Sequence, residues 1–172
     1  MYVKKIFIKI LFFLLFSSSS FACSILQVPI GTPVSTAEQT FDFLSTHNSE
    51  IYGTKYSAKY YSYAIDYCEG SSLENADLEV IVYDSKIAGI NLFSTDSEFK
   101  NEIYEFVKNN ISDPGDEVKK DNWLGFKDLS IGSLMMFYTK MKERGEIVEV
   151  LEITNSQMVD FTTGEDIIEV VR

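Results

Sequence analysis

The side chains that most often carry out catalysis are scarce in this sequence. His47 is the only histidine, so a serine or cysteine nucleophile with a histidine base would depend on it. No G-x-S-x-G motif presents a serine for such a partnership. His47 comes near the end of a predicted helix, where a partly charged imidazole interacts favourably with exposed carbonyl groups. We therefore interpret His47 as a helix-capping residue and predict no catalytic residue.

The spacing of potential metal ligands does not indicate a metal site. A tetrahedral zinc site would require His47, Cys23 and Cys68, and none of them has ligand-like spacing to another. The acidic residues between positions 113 and 117 are interrupted by a Pro-Gly pair and lack the calcium-loop pattern. No glycine-rich segment carries the Lys and Ser/Thr that complete a phosphate-binding loop. The sequence thus predicts neither a metal ion nor a cofactor.

Paired carboxylates are the one catalytic design that the composition keeps open. A glycosidase needs only two carboxyl groups, and the chain has 26 Asp and Glu residues. Any acidic surface supplies such pairs, however, so their abundance does not identify a site. A hydrolase that uses paired carboxylates is therefore retained as an alternative to a protein without catalytic activity.

The chain has two cysteines, Cys23 and Cys68, and three interpretations of them remain open. In an oxidising compartment an even pair indicates a disulfide. Alternatively, Cys23 is the lipid-modified first residue of a lipoprotein, although Ser20 and Phe21 match a lipoprotein signal poorly. The first two exclude each other because an acylated sulfur cannot form a disulfide. The third interpretation is that both cysteines are free thiols.

The N-terminal segment has the three parts of a secretory signal. Lysines open the chain, an apolar run broken by one lysine covers 6–16, and small residues lead to Ala22. A membrane-spanning helix would need about 20 apolar residues, which this run does not reach. We predict a signal peptide over 1–22, cleavage after Ala22, and a single domain over 23–172 in the periplasm.

The charge of the chain limits the partners it can have. The net charge is −11, and loss of the three lysines of the predicted signal peptide leaves 12 basic residues against 26 acidic ones, or −14. Such a charge opposes binding to nucleic acid or to anionic lipid headgroups, which require basic patches. It favours rapid encounter with a basic protein. The predicted partner is a protein with basic character, and no membrane span is predicted.

Two segments have the residue periodicity of helices. Ser35 with Glu38, and Thr95 with Glu98, are capping-box signatures, and the first predicts a helix that extends to about Thr46. The second helix ends before a Pro-Gly stop. Its apolar stripe contains Phe99, Ile103, Phe106, Val107 and Ile111.

Seven segments have the character of strands, and together they predict the fold class. Helices that alternate with antiparallel hairpins indicate an α+β fold, with one antiparallel sheet and two or three helices packed on one face of it. The tail over 164–171 suits either a helix or a strand. The strand-like segments are 24–30, 56–68, 78–83, 87–93, 123–126, 134–142 and 147–154.

Two surfaces are candidates for partner binding. On a strand, alternation places Tyr61, Tyr63 and Tyr67 on one face, which either enters the core or forms an exposed protein-binding surface. Glu146, Glu149 and Glu152 flank the last predicted hairpin. They form either a solvated acidic face or a docking surface for the basic partner.

The order of motifs over residues 29–94 resembles a known type of protein. An "IGT" turn, a capped helix that ends in "FL", an alternating strand and the hairpin "VIVYDSKIAGINLF" follow one another. This order resembles the small periplasmic modules of the BamE and β-lactamase-inhibitor-protein type. The resemblance implies a binding or assembly protein in place of an enzyme, and it assigns no functional residue.

These observations predict an exported binding protein without catalytic activity. Export, acidity and the missing catalytic set favour a protein that neutralises a partner protein, as immunity proteins and enzyme inhibitors do. The resemblance favours an envelope assembly or scaffold module as the first alternative. The hydrolase with paired carboxylates is the second.

Overall fold

The structure, a computed structural model, describes residues 23–46, 50–51, 57–94 and 101–162. The predicted signal peptide, His47, the capping box formed by Thr95 and Glu98, and the tail over 164–171 lie outside the described residues.

One antiparallel sheet of seven strands forms the fold, and the predicted α+β class is confirmed. The strands lie side by side in the order β1-β2-β3-β4-β7-β6-β5, so β4 and β7 are at the centre. The strands are β1 (Glu50–Ile51), β2 (Ser57–Tyr63), β3 (Asp77–Tyr83), β4 (Lys86–Ser94), β5 (Gly125–Ile131), β6 (Leu134–Glu143) and β7 (Glu146–Asn155).

Tight turns join the strands of the two long hairpins, as the sequence predicted. Asp84 and Ser85 join β3 to β4 with φ angles of 48° and 61°, and Arg144 and Gly145 join β6 to β7 with φ angles of 50° and 98°. Paired positive φ values match the right-handed twist of the strands that such turns connect. Glu143 therefore pairs with Glu146, and every later pair of that hairpin follows from this one.

The helices are short, with one exception. They are α1 (Val34–Ala37), α2 (Phe43–Thr46), α3 (Glu102–Asn110) and α4 (Val159–Thr162), and 3-10 turns cover Ser24–Gln27, Ala64–Tyr67 and Asp116–Lys119. Among the described residues only α3 exceeds a single turn, and its stripe residues Ile103, Phe106 and Val107 are completely buried. The sequence therefore located the core face of α3 correctly over the residues that the structure describes.

The predicted helix from Ser35 to Thr46 is wrong, because the chain forms the separate turns α1 and α2 instead. Phe41 and Phe43 are both buried and both contact the ring of Tyr67, with centroids 4.9 and 5.5 Å away. Residues two apart on a continuous helix point about 200° away from each other. A break between the two turns allows both rings to reach the core.

Three strand predictions also needed correction. Residues 24–27 form a 3-10 turn, in which the three-residue spacing brings Ile25 and Val28 into the core together. The tyrosine-rich strand ends at Tyr63, where a second 3-10 turn begins. The strand predicted over 123–126 is longer in the structure, where β5 covers Gly125–Ile131.

The helices do not all lie on one face of the sheet. Helix α3 lies over β4 and β7 on the face that carries Leu92, Leu151 and Tyr138, which we call the covered face. The single turn α4 lies against the other face, which we call the open face. Gly89 permits that approach, because a Cβ atom there would collide with the side chain of Thr162.

Candidate functional site

The open face carries two rows of side chains that cross six strands. Strand pairing places the residues of each row directly opposite one another, on the same side of the sheet. The first row contains Tyr61, Glu79, Asn91, Glu152, Phe137 and Asp128. The second row contains Tyr63, Asp77, Phe93, Val150, Thr139 and Phe126.

Large aromatic side chains at the ends of these rows are exposed. Tyr61 is 41% exposed, and Tyr63 and Phe126 are each 67% exposed. The open question about the tyrosine strand is thus answered for these two tyrosines, which lie on the surface. The surfaces of soluble proteins rarely expose several large apolar side chains on one face, as the open face does at both ends of its rows.

Strand alternation predicted that Tyr67 lies on the same face as Tyr61 and Tyr63, and this prediction is wrong. The 3-10 turn over Ala64–Tyr67 rotates the chain, and Tyr67 instead packs on Phe41 and donates a hydrogen bond to Asp42 at 2.7 Å. Burial, with the hydrogen bond to Asp42, raises the pKa of Tyr67 to about 12. Tyr67 therefore belongs to the core and does not contribute to the open face.

Acidic and amide groups occupy the middle of the first row. The carboxylate of Glu79 pairs with Lys59 at 3.4 Å and accepts a hydrogen bond of 2.8 Å from the Asn91 amide nitrogen. The Oδ1 atom of Asn91 is buried and has no hydrogen-bond partner among the described residues. Glu152 accepts a hydrogen bond from the Thr162 hydroxyl. Burial, and secondarily the charge of Glu79, raise the pKa of Glu152.

Glu149 lies on the covered face and is only 2% exposed. Its carboxylate accepts hydrogen bonds from the Tyr138 hydroxyl at 2.5 Å and from the Ile103 backbone N–H at 3.3 Å. It thereby caps the first turn of α3, whose N-terminal N–H groups lack partners within the helix. Burial raises the pKa of Glu149, and the nearby charge of Lys140 opposes that rise.

The three glutamates of β7 therefore do not form one acidic surface. Glu146 is exposed beside the hairpin turn, Glu152 is nearly buried in the open face, and Glu149 points to the opposite side. The expectation that the three share one solvated or docking face is wrong, because Glu149 and Glu152 are both buried and lie on opposite faces. The central strand β7 has buried surroundings on both faces, so its acidic residues do not mark a solvated side.

Glu152→Gln is expected to raise the free energy of unfolding relative to the wild type by an amount that grows as pH rises. Because the pKa of Glu152 is raised in the folded state, the unfolded chain releases this proton first, and stability falls as pH rises from the ordinary to the raised pKa. Glutamine has no such loss. Urea denaturation of both proteins between about pH 4 and about pH 8 measures the difference. Midpoints that differ by the same amount at every pH would contradict the expectation.

Cys23 and Cys68 are joined by a disulfide between two buried positions, with Cα atoms 4.0 Å apart. A sulfur in a disulfide cannot carry an acyl group, so the structure favours this interpretation over the lipid-modified Cys23 and over free thiols. Disulfides persist in oxidising compartments, and the bond is compatible with an exported protein.

Neither a metal centre nor a membrane-spanning helix is found in the part of the chain that the structure describes. No group of three or more potential metal ligands comes together among those residues. None of the described helices is long and apolar enough to cross a membrane.

Sequence reasoning named Tyr61, Tyr63 and Glu152 on the open face, and it missed Glu79, Asn91 and Phe126. Tyr61 and Tyr63 stood out by residue type, whereas Glu79 and Asn91 are ordinary members of a predicted hairpin. The turn of that hairpin does not give their pairing, because a β-bulge between Ile81 and Val82 shifts the register and brings Glu79 opposite Asn91. Comparisons with protein-family models, with curated proteins and with solved structures found no match to this chain.

Proposed function

We propose that this protein binds a basic protein through the open face of its sheet and neutralises it, after export to the periplasm. The observation that carries the proposal is the pair of rows on the open face, where exposed aromatic rings lie beside carboxylates. The resemblance to small periplasmic binding modules supports the same class of function.

The aromatic part of the open face suits a protein partner. Tyrosine and phenylalanine are enriched at protein interfaces because each buries a large area at a small cost in side-chain entropy. Tyr61, Tyr63 and Phe126 each keep more than a third of their surface exposed in the chain alone. A partner that covers these rings would gain burial that the fold itself leaves unused.

The charge of the open face selects a basic partner. Asp77, Glu79, Asp128 and Glu152 belong to the two rows, whereas neither row contains a lysine or an arginine. Lys59 approaches from the neighbouring position and is paired with Glu79. The net charge of −11 extends the same negative field over the rest of the chain. Complementary charge raises association rates and disfavours acidic competitors.

Binding kinetics test this proposal. The protein should retain a basic protein in a stoichiometric complex whose association slows as salt rises from about 50 to about 500 mM, because exposed charges are screened over about 10 Å or less at such concentrations. Tyr63→Ala should raise the dissociation rate about tenfold, since a truncated aromatic anchor costs more than 1 kcal/mol.

Ile131→Ala is the matched control, because Ile131 is also exposed but points to the opposite side of the sheet from Phe126. Dissociation should be unchanged in this variant. Equal effects of Tyr63→Ala and Ile131→Ala, or an association rate that ignores salt, would contradict the proposal. A complex with envelope assembly proteins would instead support the scaffold alternative.

A further inference from the structure

The middle of the first row has more hydrogen-bond acceptors than donors. Glu79 uses its carboxylate for Lys59 and for the amide nitrogen of Asn91. The Asn91 oxygen is buried and receives no hydrogen bond from any residue that the structure describes. Within the described residues, Glu152 receives only the hydroxyl of Thr162 and forms no ion pair. Three neighbouring side chains thus present oxygen atoms that one more donor group could satisfy.

The arrangement is costly for the chain alone. An unsatisfied buried acceptor costs about 1–3 kcal/mol, and a buried charge without a counter-charge costs more. Glu79 and Glu152 lie on either side of Asn91, so two carboxyl groups share this region with Lys59, the one cation that the described residues place there. Burial, and secondarily the charge of Glu79, raise the pKa of Glu152. A cation that brings several donors would relieve both costs.

A guanidinium group fits these requirements better than an ammonium group. It is planar and carries five N–H donors in a fixed geometry, which suits an array of carboxylate and amide oxygens on neighbouring strands. Aromatic residues stand at both sides of the acceptors, because Tyr61 is opposite Glu79 and Phe137 is opposite Glu152. Guanidinium groups are also attracted to the faces of such rings.

We propose that Glu79, Asn91 and Glu152 form a binding site for the guanidinium group of an arginine side chain. This inference rests on the proposed function, because the arginine belongs to the basic protein that docks on the open face. Glu152 and the Asn91 oxygen accept its N–H groups, Glu79 supplies a second negative charge, and Phe137 contacts the planar group from the side. The arginine is the central anchor of the interface, and the exposed rings surround it.

The site can be tested without the partner protein. The isotope-labelled protein is titrated with Nα-acetylarginine amide at about pH 8, where carboxyl groups are ionised unless their pKa is strongly raised, and its backbone amide signals are followed by NMR. Saturable shifts are expected for Glu79, Asn91, Glu152 and their neighbours in the two rows. Nα-acetylcitrulline amide has nearly the same shape without the charge, and it should bind at least about tenfold more weakly.

Three outcomes of the titration would overturn the proposal. Equal responses to the arginine and citrulline compounds would show that the charge is not recognised. Shifts that are confined to other parts of the protein would place the binding elsewhere. Calcium chloride alone forms a further arm, and saturable shifts at the same three residues with calcium, without a response to the arginine compound, would assign the acceptors to a metal ion.

Glu152→Gln sharpens the test because it removes one charge and keeps the shape. The variant should weaken binding of the arginine compound about tenfold, the usual cost of losing a charge-assisted hydrogen bond. Glu146→Gln changes an exposed glutamate at the start of the same strand and should leave the affinity unchanged. Equal affinities of the wild type and Glu152→Gln would overturn the site.

The two proposals can fail separately. A basic partner whose affinity is the same for Glu152→Gln and the wild type would leave the proposed function standing and remove the arginine site. If the arginine compound binds as expected but the partner complex survives Tyr63→Ala without change, the site stands and the docking of a protein on the open face fails.

Discussion

Phe106→Ala is expected to lower the free energy of unfolding by about 3–5 kcal/mol, the usual cost of removing a core phenylalanine ring. Phe106 is completely buried on the face of α3 that packs against β4 and β7. The loss combines the transfer free energy of the ring with the free-energy cost of the cavity left beneath α3. Such a loss is a large part of the stability of a domain of this size.

Glu105→Ala is the matched control on the same helix. The Glu105 side chain is partly exposed and forms an ion pair with Lys119 at 2.5 Å. Exposed ion pairs contribute about 0–1 kcal/mol, so this variant should unfold close to the wild type. Urea denaturation followed by circular dichroism measures both changes. Similar midpoints for Phe106→Ala and Glu105→Ala would mean that α3 does not present Phe106 to the core.

The parts of the fold that the sequence predicted well are those whose geometry is set by local rules. The hairpin between β6 and β7 has a two-residue turn at Arg144 and Gly145, which fixes its register without reference to the rest of the chain. The period of α3 is likewise local, because its buried positions recur on one side of a single helix. Neither depends on knowing what lies across the sheet.

Predictions failed where tertiary contacts overrode the local pattern. The capping box at Ser35 and Glu38 signalled a helix start, yet the core requires both Phe41 and Phe43, and the helix divides to bury them. Alternation predicted Tyr67 beside Tyr63, yet the disulfide partner Cys68 and the ring of Phe41 draw that segment out of the sheet. Contacts distant in sequence decided both cases.

The register of the hairpin between β6 and β7 could have predicted part of the environment of Glu149. The turn at Arg144 and Gly145 places Lys140 directly opposite Glu149, and opposite charges at such a position indicate a paired cross-strand contact. That signal is in the sequence. What the sequence does not give is the position of α3, whose first turn needs a cap and draws the carboxylate into the covered face. Of the two buried glutamates of β7, Glu149 is therefore a structural cap and Glu152 belongs to the candidate binding site.

Removal of the disulfide by the double change Cys23→Ala and Cys68→Ala is expected to cost about 4 kcal/mol of stability. The two cysteines are 45 residues apart, and the chain-entropy model assigns about this value to a closed loop of that length. The bond also ties the 3-10 turn over Ser24–Gln27 to the end of the turn over Ala64–Tyr67, so the N-terminal core residue Ile25 should lose order with it.

Urea denaturation should show the loss of the disulfide as a lower midpoint for the double variant. The wild type in reducing agent is the control and should approach the same midpoint, because the bond is then absent although both sulfur atoms remain. Mass spectrometry of the purified wild type should find a mass two hydrogens below that of the reduced protein, one pair of thiols being oxidised. An unchanged midpoint in the double variant would mean that the bond does not constrain the unfolded chain. An acyl group on Cys23 would mean that the bond is not formed in the native protein, and attachment to a lipid surface would then replace the cross-link between the two turns.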